Sequence, residues 1–150
     1  MSAIRTILVP VDFSPHAAKA LDFAVGLAKE LGSKLHLMHC YRISASAVSP
    51  YGMVFPEGLD RDVRDAAERT IAEWCAKVAA EDVAVDHCIT PAYPSEAISD
   101  VADEIGADLI VMGTRGLTGL KHVMLGSVAE RTLRIAPCPV VTVKDRDGAD

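Results

Sequence analysis

The sequence predicts an open α/β fold, a mostly parallel sheet covered by helices on both faces. Short apolar, β-branched runs recur five times along the 150 residues. Amphipathic stretches of helical period lie between them, and most connections are short. Strands buried on both faces read as continuous apolar runs, which is what the first run shows.

Ile7-Leu8-Val9-Pro10-Val11 is the first such run. Ser14 follows as an N-cap and Pro15 suits the first helical position. Leu21, Ala24, Val25 and Ala28 then repeat at helical spacing until Gly32 stops the helix. Leu35 to Tyr41 is the second strand, and alternation puts its two histidines, His36 and His39, on opposite faces. Residues 42–58 break the rhythm with serine, proline and glycine, as a long loop does.

Val63, Ala67, Ile71, Trp74 and Val78 make the inner face of the second helix. Val83 to Ile89 is the third strand. Pro94-Ser95-Glu96 opens a helix whose inner face is Ile98, Val101, Ala102 and Ile105, ended by Gly106. Leu109 to Met112 forms the fourth strand and runs into Gly113. Leu125, Val128, Ala129, Thr132 and Leu133 give the last helical stripe. Pro137-Cys138-Pro139 stops it, and Val140 to Val143 is the fifth strand. The chain is expected to be one domain over residues 1–150, with a frayed polar tail at 145–150.

Composition narrows the function. Half the residues are hydrophobic, 24% are charged, and the net charge is −6. An acidic surface repels phosphate backbones and anionic lipids, so neither nucleic acid nor membrane is an expected partner. No stretch is long and apolar enough to span a bilayer, and the start lacks a secretory pattern, so a soluble cytoplasmic protein is expected. Cys40, Cys75, Cys88 and Cys138 show no metal-site spacing and read as buried small hydrophobes. No metal site is expected.

In an open α/β sheet, ligands bind beyond the carboxyl ends of the strands. After strand four stands Gly113-Thr114-Arg115-Gly116-Leu117-Thr118-Gly119, followed by Gly126-Ser127 at a helix start. Glycines there permit positive φ and close backbone approach, and a helix N-terminus favours a phosphate. Ser127 adds a hydroxyl. Arg115, Lys121 and His122 share the segment and could neutralise phosphate charge, although loop charges are more often simply solvated. Neither the Walker A nor the GxGxxG spacing is present. After strand one stands Asp12, an acceptor for ribose hydroxyls or else a helix cap, expected to contribute little to stability.

Ile7 to Ser14, the spacing Gly113-x2-Gly116-x9-Gly126-Ser127 and Pro137-Cys138-Pro139-Val140-Val141 resemble the universal stress protein (UspA-type) family over about residues 4–144. The resemblance implies a sheet of order 3-2-1-4-5, of the adenine-nucleotide α-hydrolase-like type. It implies ATP, alone or as its Mg2+ complex, as the ligand. By the same resemblance Pro10 and Val11 line the adenine pocket, Asp12 holds the ribose, and the backbone of Cys40 reads the adenine edge. Met112 and Gly113 lead into the nucleotide loop. Gly116, Gly126, Ser127 and Val128 surround ribose and phosphates. AMP and cAMP remain alternatives to ATP.

No residue stands out as a positioned general base, so ATP binding with weak or no hydrolysis is expected, in a regulatory stress-response module. A slow ATPase or another adenine-nucleotide-dependent enzyme is the alternative. A phosphate-accepting response regulator would want clustered acidic residues beside strand one, whereas Asp12 stands alone there. Val140 to Val143, an edge strand in the implied order, is expected to pair with a second copy, giving a homodimer.

Overall fold

The computed structural model describes residues 2–42, 58–115 and 125–145. The elements alternate: β1 (Thr6–Pro10), α1 (Pro15–Leu31), β2 (Lys34–Tyr41), α2 (Leu59–Ala79), β3 (Val85–Pro91), α3 (Pro94–Glu104), β4 (Leu109–Gly113), α4 (Ser127–Ile135) and β5 (Val140–Val143). The strands form one parallel sheet of order β3-β2-β1-β4-β5. The expected fold class and strand order are both found.

Two apolar layers hold the helices to the sheet. On one face Ile7, Val9, Leu35, Leu37 and Val111 pack with α1 and with Ile71 and Val78 of α2. On the other, Leu8, Met38, Ile110 and Met112 pack with Ile98 and Ala102 of α3 and Ala129 of α4. The central strands β1 and β4 are buried on both faces, as uninterrupted apolar runs require. Leu133 departs from the expected inner stripe of α4: it is 45% exposed, and Ala129 and Thr132 supply the buried contacts.

Local signals act as their chemistry predicts in α1. The Ser14 hydroxyl accepts from the Ala17 N–H at 3.1 Å, Pro15 occupies the first turn, and Gly32 closes the helix at φ 67°. The third strand runs two residues later than expected. Its pairing begins with Leu35 opposite Val85 and ends with Tyr41 opposite Pro91, while Val83 is buried in the core just before the strand. Asp145 does not fray: its carboxylate pairs with Lys19 and stands 3.8 Å from His16 Nδ1, tying the chain to α1. Among the described residues no helix is long and apolar enough to cross a membrane.

Candidate functional site

The order β3-β2-β1-β4-β5 makes β1 and β4 neighbours whose connecting helices leave on opposite faces, so the strand ends separate there. A cleft of about 250 Å³ opens at that point. Pro10, Val11 and Asp12 enter it from the end of β1, Cys40 from β2, and Met112 and Gly113 from β4. Gly126, Ser127 and Val128 close it at the start of α4. Nine of the ten expected site residues thus converge on one cleft. The tenth, Gly116, lies outside the described residues, as do Lys121, His122 and residues 43–57 of the expected long loop.

The β1–α1 turn is built to hold Asp12 in place. Asp12 Oδ1 accepts the Ser14 N–H at 3.0 Å. Between them Phe13 takes a left-handed φ of 63°, rare for an aromatic residue. Its ring stacks on His39 at 4.3 Å between centroids and meets Trp74 edge-on at 5.4 Å. His39 Nδ1 lies 2.8 Å from the Val11 carbonyl. A carbonyl can only accept, so His39 donates from Nδ1. The strained turn is therefore clamped from β2 and α2. This corrects the view of Asp12 as structurally idle, because its carboxylate satisfies a backbone donor beside the buried Ser14.

The glycines also differ from expectation. Gly126 has φ −61° and ψ 155°, open to any residue, and among the described glycines positive φ occurs at Gly32, Gly58 and Gly106. What Gly126 provides is closeness. Its N–H donates to the Thr114 carbonyl at 2.7 Å, and a Cβ there would stand 3.0 Å from that oxygen. A Cβ on Gly113 would stand 3.2 Å from the His16 carbonyl. The two glycines let β4, α1 and α4 meet at backbone distance, and that meeting shapes the cleft.

Chemically the cleft is lined by both apolar and polar groups. Met38 and Ile98 join Val11 and Met112 as its apolar lining. Thr114, Arg115 and Ser127 also line the cleft, with Thr114 hydrogen-bonded to Gly126, the side-chain-free cap residue at the N-terminus of α4. Arg115 and the α4 N-terminus bring positive potential to the cleft, and Asp12 is the carboxylate among the described lining residues. The Cys40 thiol is pushed up to about 11 by burial, with a smaller push from Cys88, so it stays protonated and apolar.

The residues that sequence reasoning left out of the site are Ala17, Met38, Pro94, Ile98, Thr114, Arg115 and Ala129. Met38 carried a signal, since it shares the Cys40 face of β2 at a two-residue interval. Arg115, expected among the solvated loop charges, lines the cleft.

A sequence model described as the universal stress protein family matches residues 3–144. The chain belongs to the universal stress protein family. Universal stress protein YxiE of Bacillus subtilis is 37% identical over 144 residues, covering 92% of this chain and 97% of that one. Among solved structures, hypothetical protein MJ0577 superposes with TM-score 0.84 at 26% identity, covering 97% of this chain and 99% of its own. The universal stress protein of Archaeoglobus fulgidus in complex with dAMP matches at TM-score 0.67 and 25% identity, over 95% and 100% of the two chains. A universal stress protein in complex with cAMP matches at 0.61 and 26%, over 95% and 98%. These universal stress proteins thus include two solved with adenine nucleotides.

Proposed function

We propose that the cleft binds an adenine nucleotide, ATP foremost, and that occupancy rather than turnover is its working output. The observation that carries this reading is the convergence of Asp12, the α4 N-terminus and apolar side chains on one cleft. The base packs among Val11, Met38 and Ile98, with Cys40 at its edge. The ribose hydroxyls donate to Asp12. The phosphates meet Arg115, Ser127 and the first N–H groups of α4. The dAMP and cAMP complexes of two relatives support the base assignment, since adenine is what those two ligands share.

A binding module fits better than an enzyme. Hydrolysis needs a positioned base for water, and the described lining offers one carboxylate, Asp12, whose Oδ1 is already engaged by the Ser14 N–H. The same proposal extends to a homodimer through β5, which forms one edge of the sheet. Titration of nucleotide-free protein with ATP, AMP, cAMP and GTP, with phosphate release measured in parallel, tests the reading. Binding of the three adenine nucleotides over GTP, with no more than one phosphate released per chain, is expected. Equal binding of GTP would remove the adenine assignment, and sustained phosphate release would make the protein an enzyme.

A further inference from the structure

Away from the cleft, Cys88, His36 and Asp86 form a chain of contacts on the sheet face opposite α2. The register sets His36 against Asp86, and Cys88 follows two residues along β3, so the three side chains emerge together. His36 Nδ1 lies 2.5 Å from Asp86 Oδ1, and its Nε2 lies 3.3 Å from Cys88 Sγ. An ionised carboxylate can only accept, so the neutral imidazole carries its proton on Nδ1. Nε2 then offers a lone pair to the thiol, and the S–H donates to it. Nucleophile, base and orienting carboxylate stand in order.

We infer that Cys88 is a modification site for soft carbon electrophiles, the α,β-unsaturated carbonyl compounds, with His36 as its general base and Asp86 fixing that base. Cys88 Sγ attacks the β-carbon with a lone pair, and the C=C π pair moves onto the carbonyl as an enolate. The thiol proton passes to His36 Nε2 and from there to the α-carbon. The product is a thioether, no external oxidant or reductant enters, and Asp86 faces the transient imidazolium.

The surroundings favour this chemistry over others. Burial first, then the carboxylates of Glu104 on α3 and Asp86 on β3, push the Cys88 thiol up, against a smaller opposing hydrogen bond with Thr90. Cys88 therefore rests as a thiol and needs a base at the moment of attack, which is what His36 supplies. Disulfide formation with Cys40 on β2 is out of reach. Cys88 opposes Met38 while Cys40 opposes Thr90. That two-residue offset across adjacent strands separates the Cα atoms by about 8 Å, beyond the roughly 7 Å a disulfide spans. Cys88 is half-buried and Asp86 is 61% exposed, so the contact chain reaches the surface. Cys88 does not line the nucleotide cleft. Cys75 supplies an internal comparison on the opposite face. Its Sγ lies 3.7 Å from His87 Nδ1, with Glu68 2.6 Å from Nε2, a looser version of the same chain.

The inference stands apart from the nucleotide reading. The full chain is treated with limiting N-ethylmaleimide at pH 7, quenched in acid, and each cysteine's labelling rate is read by peptide mass spectrometry. Cys88 is expected to react about tenfold faster than Cys138, and His36→Gln to lower the Cys88 rate about tenfold or more while Cys138 is unchanged. Cys88 reacting no faster than Cys138, or unaffected by His36→Gln, overturns the assignment. Should His36→Gln fail to fold, Asp86→Asn at the exposed end of the chain decides. A Cys88 rate lowered about threefold or more supports the relay, and an unchanged rate overturns it.

Discussion

Replacing Asp12 separates the two tasks that the structure and the proposal give it. Asp12→Ala removes the acceptor of the Ser14 N–H, a 3.0 Å bond in the turn that carries the left-handed Phe13. A donor left without its acceptor costs about 1–3 kcal/mol, enough to lower the melting temperature by several degrees in a chain of this size. Asp12→Asn keeps a side-chain oxygen for that N–H and so should melt close to the parent. Both variants lose the charged acceptor offered to the ribose, where such bonds contribute about 1.5–3 kcal/mol, roughly ten- to over a hundredfold in affinity. Calorimetric titration with ATP, alongside melts of the ligand-free proteins, reads the two effects separately. The expected pattern is weak binding in both variants and a lowered melting temperature in Asp12→Ala alone. Parental ATP affinity in both variants would refute the ribose assignment, and an unshifted melt in Asp12→Ala would refute the structural one.

Gly126→Val would place a branched side chain where a Cβ already stands 3.0 Å from the Thr114 carbonyl. Lost ATP binding and a stability cost of about 1–3 kcal/mol are expected by titration and denaturant melts, from overpacking rather than strained φ. In β5 the Pro139 and Val143 carbonyls accept from Ile110 and Thr114, so the N–H of Thr142, one residue out of phase, faces the open edge. Thr142→Pro should therefore convert a dimer to monomer by light scattering while the β4 ladder survives, and an unchanged dimer would place the interface elsewhere. The Glu96 carboxyl is held down at about 2 by the Ser95 hydroxyl and then by Arg131, from an ordinary 4.5. A depressed carboxylate stabilises the fold above its ordinary value, so that contribution is lost as pH falls from about 4.5 to about 2. The melting temperature should fall less steeply over that range in Glu96→Gln than in the parent.

The fold was legible because its signals are redundant. Ser14, Pro15 and Gly32 bound α1 by local chemistry alone, and the doubly buried β1 and β4 carry the apolar runs Ile7–Val9 and Leu109–Met112. β3 was harder to place, since an edge strand takes its limits from the partner's register rather than from its own pattern. The cleft was readable where it rests on strand ends and a helix start, as at Asp12, Gly113 and Gly126. It was less readable where its wall comes from tertiary packing, as with Ile98 of α3, whose inward position was evident but whose neighbour was not. The roles of Gly126 and Asp12 needed coordinates. Spacing does not distinguish a positive φ from a 2.7 Å backbone contact, nor a ligand acceptor from one that also holds Ser14.

The central claim is that this cleft holds an adenine nucleotide, and its most direct test is chemical. Protein purified without added nucleotide is denatured in acid, and the supernatant is analysed by liquid chromatography and mass spectrometry. Protein stripped of ligand is then reloaded with ATP and analysed the same way. An adenine nucleotide is expected, released in proportion to protein, retained on reloading by the parent and lost by Asp12→Asn. An empty supernatant from both preparations, or retention undiminished in Asp12→Asn, would contradict it.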